Sequence, residues 1–300
     1  MKSYFSTNRV LAWTIASVAV VSVFFACKKD VTKDDVVNNL PDNSAFAAAQ
    51  HQTVVSSMYA DLYETVSTEA VSQGLDKAAR VGNVPNDLAK DPVSCPSTEL
   101  LDATDNKWPK RVVIDFGTSC LDRFGVYRSG VLNVTFSGPL FNAASTVTVE
   151  PSNFKRNGIP VEGKYIITNA TWSATAGVAY TAEVVNGKVK LADTLVVNYI
   201  SKRTVKQTAG GETPANAADD VYSVTGTETL SYEKGGLIPD VTASFETQTP
   251  IVKQWICPRP SQGKLKVTVN RITGVIDYGN GKCDDPITIT IGGKAKQLNP

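Results

Sequence analysis

Five cysteines and a single histidine narrow the chemistry open to this chain. With His51 alone, most zinc sites, Ser-His-Asp and Cys-His catalysis and histidine acid/base work are removed. No Gly-x-Ser-x-Gly elbow, His-Glu-x-x-His pair, Walker loop or dinucleotide fingerprint occurs. Asp277, Asn280, Asp284 and Asp285 offer hard oxygens suited to calcium. They lack EF-hand spacing, and the preferred reading is an Asn-Gly bend solvated by aspartates. Asp102 and Asp105 suit Asx turns in the same way. Retaining glycoside hydrolysis needs only two carboxylates about 5 Å apart, so that reaction stays open. Trp108, Trp172 and Trp255 would stack on sugars if exposed, but their apolar strand neighbours point to core packing. No catalytic residue, metal ligand or cofactor is assigned.

The cysteines carry a repeat. Cys95-Pro96 recurs as Cys257-Pro258, and Ile114-Asp115-Phe116-Gly117 recurs at the same offset as Ile276-Asp277-Tyr278-Gly279. Cys120 recurs one residue late as Cys283, because Asn280-Gly281-Lys282 stands against Thr118-Ser119. Four cysteines allow three pairings. Equivalent bridges in two copies, 95–138 and 257–293, select Cys95 with Cys120 and Cys257 with Cys283. Reduced or metal-bound thiols are the alternative, and neither copy has the Cys-x-x-Cys spacing of a zinc ribbon.

These residues need a scaffold. From Ser44, Val55, Met58, Leu62, Val66 and Ala70 recur at spacings of three and four, which predicts a long helix capped by Asp42 or Ser44 and stopped at Gly74. His51 lies one turn before this stripe as a structural residue, and Tyr59 and Tyr63 serve packing or rim. A shorter helical piece is expected over Leu75–Arg80, within a helical segment 44–94. Beyond Lys110 the pattern is β. Asn157-Gly158, Asn186-Gly187 and Asn280-Gly281 predict three type I′ hairpins, with Gly210-Gly211, Gly235-Gly236 and Gly292-Gly293 as weaker turn signals. Ser223, Thr225, Thr227, Thr229 and Ser231 alternate with Tyr222, Val224 and Leu230, so one sheet face is wet. Leu265, Val267 and Val269, and likewise Val147 and Val149, alternate with polar residues in the same way. The fold class is mainly β: a large antiparallel sheet, either a sandwich or one curved sheet under the helix, in a domain spanning 95–300.

The N-terminus reads as an export signal. Lys2 and Arg9 precede an uncharged run from Val10 to Ala26, which ends at Cys27-Lys28-Lys29-Asp30. Phe24-Phe25-Ala26-Cys27 resembles a bacterial lipobox, with 1–26 removed and Cys27 carrying lipid. Two or three acyl chains hold a protein stably on a membrane. The polar stretch 27–43 then reads as a tether. Apolar residues at 42%, charged residues at 20% and a net charge of +1 describe a globular chain with no field for nucleic acid.

The Cys27–Asp35, Ile114–Cys120, Arg128–Gly130, Glu162–Asn169 and Asp277–Asp284 segments together resemble uncharacterised β-rich lipoproteins of the Bacteroidetes type. The resemblance implies location and fold and no settled activity. The expected protein is an outer-membrane lipoprotein, on the periplasmic face or the cell surface. Its expected role is a non-enzymatic binding or adhesive module presenting the Thr/Ser face and loops to a glycan or protein. The alternatives are a periplasm-facing lipid or lipoprotein carrier and, third, a glycan-acting hydrolase.

Overall fold

A computed structural model describes residues 33–76, 95–101, 107–122, 125–213, 217–233, 241–257 and 259–298. The chain divides into two compact units, Met1–Leu40 and Pro41–Pro300. The signal segment, Cys27, Asp102, Asp105 and Gly235-Gly236 lie outside the described residues. Helix α1 spans Lys33–Ser72, so the tether expected to run through Asn43 is helical from Lys33, and neither Asp42 nor Ser44 caps it. Polar composition decides how a helix is solvated; it does not prevent one from forming. The far end is as expected. Gly74 turns into the left-handed region at φ +68°, and the Leu75 amide donates to the Ala70 carbonyl at 2.8 Å. Leu75 and Asp76, the described part of the second helical piece, are not helical.

The strands are β1 (Ser97–Leu100), β2 (Lys110–Asp115), β3 (Cys120–Leu121), β4 (Tyr127–Phe136), β5 (Thr146–Arg156), β6 (Ile159–Ser173) and β7 (Gly177–Ala192). They continue as β8 (Leu195–Ala209), β9 (Val221–Tyr232), β10 (Thr242–Gln254), β11 (Gln262–Val269), β12 (Ile272–Asn280), β13 (Ile287–Ile291) and β14 (Lys294–Leu298). All belong to one 14-stranded antiparallel sheet in nearly sequential order, with β3 pairing only with β4. A single sheet therefore replaces the sandwich alternative.

The sheet curves around α1. The stripe from Val55 to Ala70 is buried, and it shares one core with Val134, Val149, Tyr165, Val184, Tyr199, Leu230, Phe245, Leu265, Ile276 and Ile289. Both sheet margins reach the helix: Thr98 on β1 donates to Glu69 at 2.7 Å, and Lys296 on β14 lies 4.3 Å over the Phe46 ring. Tyr59 stacks on Tyr199 and Tyr63 on Tyr180, with ring centroids 5.4 and 3.8 Å apart. Both tyrosines pack, as their positions on the helix implied.

Identical dipeptides meet different fates. Asn157-Gly158 joins β5 to β6 with both residues at positive φ, the backbone a type I′ turn requires. Gly292-Gly293 does the same between β13 and β14. Asn186-Gly187 makes no hairpin: it is a bulge inside β7, between the Val184 and Gly187 pairings. A Cβ on Gly187 would stand 2.6 Å from the Tyr199 carbonyl and 2.7 Å from the Tyr59 hydroxyl, so glycine is what lets the helix reach the strand here. Asn280-Gly281 closes no two-residue turn either; β12 and β13 are joined by residues 281–286.

Both expected bridges are present. Cys95 and Cys120 have Cα atoms 5.8 Å apart, and Cys257 and Cys283 4.9 Å apart. Locally the copies match: Asp115 accepts from the Gly117 amide at 2.7 Å and Asp277 from the Gly279 amide at 3.0 Å. Globally they do not. An odd number of antiparallel pairings separates β2 from β12, so the two run in opposite directions. Yet the chain advances across the sheet the same way in β1–β2–β4 as in β11–β12–β13, and Ile114 and Ile276 enter the same core. No rotation relates segments with these properties, so the repeat is one of local turn and bridge only.

Candidate binding surface

A meander sheet has two ends, and here they differ. At one end lie the two-residue turns 157–158, 193–194, 270–271 and 292–293, together with the longer connections after β2 and β9. At the other end every connection is longer: 101–109, 137–145, 174–176, 210–220, 255–261 and 281–286. Long connections on a rigid sheet are where binding groups concentrate, because backbone that makes no ladder bonds is free to be shaped for a partner.

Trp108, Trp172 and Trp255 all belong to this long-loop end. Trp172 is half-buried against the core, in keeping with the packing expectation. Trp108 is 36% exposed, because it stands in the connection before β2 and not in a strand. Leu101 and Ile256, 46% and 62% exposed, sit in the same set of loops. Leu121 and Tyr127, 42% and 51% exposed, stand at the short-turn end and Ile200 lies within β8, so apolar exposure is shared between the two ends.

Polar contacts link these loops to one another. Gln207 on β8 accepts from the Val178 amide at 3.0 Å and donates to Asp220 at 2.7 Å. Tyr222 donates to the other Asp220 oxygen at 2.9 Å, and the Trp255 amide donates to the Asp220 carbonyl at 2.9 Å. Gln254 donates to the Gly281 carbonyl at 2.7 Å and Arg259 to the Asp285 carbonyl at 2.6 Å. Lys253 donates to the Cys257 carbonyl, and burial holds its ammonium below the usual lysine range. With the Cys257–Cys283 bridge, these bonds tie the loops after β8, β10 and β12 into one pre-ordered surface.

The proposed calcium ligands are engaged as turn formers. Asp285 accepts from the Asn280 amide at 2.8 Å and the Lys282 amide at 3.3 Å, while Asp277 pairs with Lys264 at 3.0 Å. Backbone donors on a carboxylate fit the solvated-bend reading. Among the described residues no cluster of ligating side chains stands ready for a metal ion.

Sequence reasoning missed the charged residues between helix and sheet. Glu228 on β9 is buried and accepts from Gln52 of α1 at 2.9 Å, from Tyr199 at 2.6 Å and from Arg203. Asp61 of α1 is buried against Arg128, which also donates to Asp122 at 2.7 Å, and Arg156 lies 3.4 Å away. Glu64 touches solvent although protein surrounds it on most sides. That desolvation, with the Asp61 charge, raises its carboxyl, while Lys253, Arg128 and Arg156 pull the other way. The missing signal was alternation itself: Glu228 and Arg203 occupy inward positions on their strands, where a charge must find a partner.

His51 is structural. Its Nδ1 lies 2.7 Å from the Tyr232 hydroxyl, and burial lowers its pKa to about 4. The folded value lies below the unfolded one, so its contribution is complete above about pH 6.5 and is lost as pH falls toward 4. Exchange for glutamine, His51→Gln, should flatten the decline of melting temperature between those limits, a term of at most about 3 kcal/mol. An unaltered acid limb would contradict the assignment.

No known protein family, curated protein or solved structure matches this chain.

Proposed function

We propose that this protein is a membrane-anchored envelope lipoprotein whose long-loop end is a non-enzymatic binding surface for a glycan or protein partner. The asymmetry between the two ends carries the proposal. His51 of α1 meets Tyr232 at the last residue of β9, whereas the Leu75 carbonyl accepts from the Leu140 amide in the loop after β4. The helix therefore runs, within the Pro41–Pro300 unit, from the short-turn end toward the long-loop end.

The interior favours this role over the alternatives. A lipid carrier needs an apolar hollow between helix and sheet, and α1 itself packs there with two buried ion pairs that an acyl chain would strand. A hydrolase needs a carboxylate free to exchange a proton. The buried acids Asp61, Asp220 and Glu228 are each occupied by donors, so Glu64, whose carboxyl is raised, has beside it among the described residues only the ion-paired Asp61 and no free second carboxylate.

Two arms of one experiment test the proposal on cells expressing the full chain. Metabolic labelling with a fatty-acid analogue should mark the wild type and not Cys27→Ser. Purified protein immobilised against envelope and host glycans and proteins should capture a ligand that Trp108→Ala combined with Ile256→Ser loses, with thermal unfolding unchanged. Equal labelling of both chains, or equal capture by the loop variant, refutes the corresponding half.

A further inference from the structure

The outer face of the sheet holds a feature that the loops do not explain. Thr146 on β5 pairs with Thr168 on β6, Thr168 with Thr181 on β7, Thr181 with Thr204 on β8, and Thr204 with Thr225 on β9. Directly paired residues point to the same side, so five threonines form a straight row across five adjacent strands. Four strand spacings make it about 19 Å long. The residues on either side in sequence, such as Val147, Ile167, Ala182 and Val205, are buried, which places the row on the face away from α1.

Threonine is common in strands for its shape alone, so the row needs more than composition behind it. The hydroxyls supply that. None of the five finds a hydrogen-bond partner among the described residues, although Thr208 and Thr247 nearby bond to backbone carbonyls. Cross-strand threonines often bond to each other, and these do not.

We propose that this ladder is a docking track for one linear, neutral, β-linked polysaccharide chain lying across the strands. An extended β-linked pyranose chain advances by about one strand spacing per ring, so each sugar would meet one threonine hydroxyl and one methyl. Local charge is low: in the adjoining row on one side, Thr148, Ile166, Glu183, Lys202 and Thr227, the two charges pair with each other at 2.5 Å, and on the other side Ala179, Lys206 and Ser223 add one exposed cation. A peptide adding as a strand is disfavoured, because β5 to β9 are each bonded on both sides and offer no free edge.

Calorimetric titration of the full chain tests this with soluble hexasaccharides: β-1,4-linked glucose, β-1,4-linked N-acetylglucosamine, and α-1,4-linked glucose, whose chain coils. The wild type should bind a β-linked probe and bind the α-linked one less well. The triple variant Thr168→Val, Thr181→Val and Thr204→Val keeps β-branched shape and strand preference. It should lose binding about tenfold or more with unfolding temperature unchanged. The control Leu121→Ser, an exposed position at the short-turn end, should bind as the wild type does, which ties binding to the ladder. Absence of binding to either β-linked probe, equal affinity for the α-linked chain, or equal affinity in the triple variant would overturn the assignment. Should the triple variant misfold, Thr181→Val alone is the decisive substitution, and an unchanged affinity there would overturn it as well.

Discussion

Glu228→Ala should lower the stability of the fold by about 3–5 kcal/mol, the largest loss expected from any single substitution. The carboxylate joins three donors from two elements: Gln52 from α1, and Tyr199 and Arg203 from β8. Removing it leaves a buried guanidinium without its counter-charge and strands a tyrosine hydroxyl and a glutamine amide that cannot reach water. The lost attraction is the smaller part. The desolvated groups left behind dominate, because an unmet buried charge costs more than the pair contributed. The same logic makes the double exchange of Glu228 and Arg203 for apolar residues of similar volume milder than Glu228→Ala alone. Denaturant titration of the three chains checks this, and a single-variant loss below about 1 kcal/mol would refute it.

Second in size is the Cys257–Cys283 bridge. It closes a sequence separation of 26 residues and fastens the loop after β10 to the loop after β12. By the chain-entropy estimate, Cys257→Ser with Cys283→Ser costs roughly 3–4 kcal/mol, since the unfolded chain regains freedom that the bond denied it. The effect should also be local. Ile256 and the Gln254 bond to Gly281 depend on those loops staying together, so amide exchange should rise first in 255–261 and 281–286. A variant with native exchange there and unchanged unfolding would contradict the structural role. Breaking Cys95–Cys120 should instead loosen β1 and β3 at the short-turn end and leave the long loops as they are.

The two forecasts differ in what sequence could have revealed. The cysteine pairing was legible, because the repeated Ile-Asp-aromatic-Gly segment placed equivalent cysteines at near-equal intervals. The Glu228 cluster was not. Alternation puts Glu228 on the same face as Tyr222, Val224 and Leu230, but nothing local names Gln52, 176 residues away, as its partner. Asn-Gly shows the same divide. At 157–158 the flanking strands pair with each other and the dipeptide turns. At 186–187 the Tyr59 hydroxyl arrives from α1, and the strand bulges and carries on.

What sequence alone determined follows from short periods. A 3.6-residue stripe specified which face of α1 is buried, a two-residue period specified the wet and dry faces of the sheet, and Gly74 marked the end of the helix. These depend on each residue and its near neighbours, so they survive without knowledge of the fold. Tertiary structure decided that the strands form one curved sheet and no sandwich, and that the repeated segments run in opposite directions. It also decided that all the long connections but two fall at one end and that five threonines fall into one row. Each of these depends on the count and register of strands lying between the residues concerned. Register is set by bulges and helix contacts distributed along the whole chain, and a shift of one residue in any pairing would move a threonine to the other face.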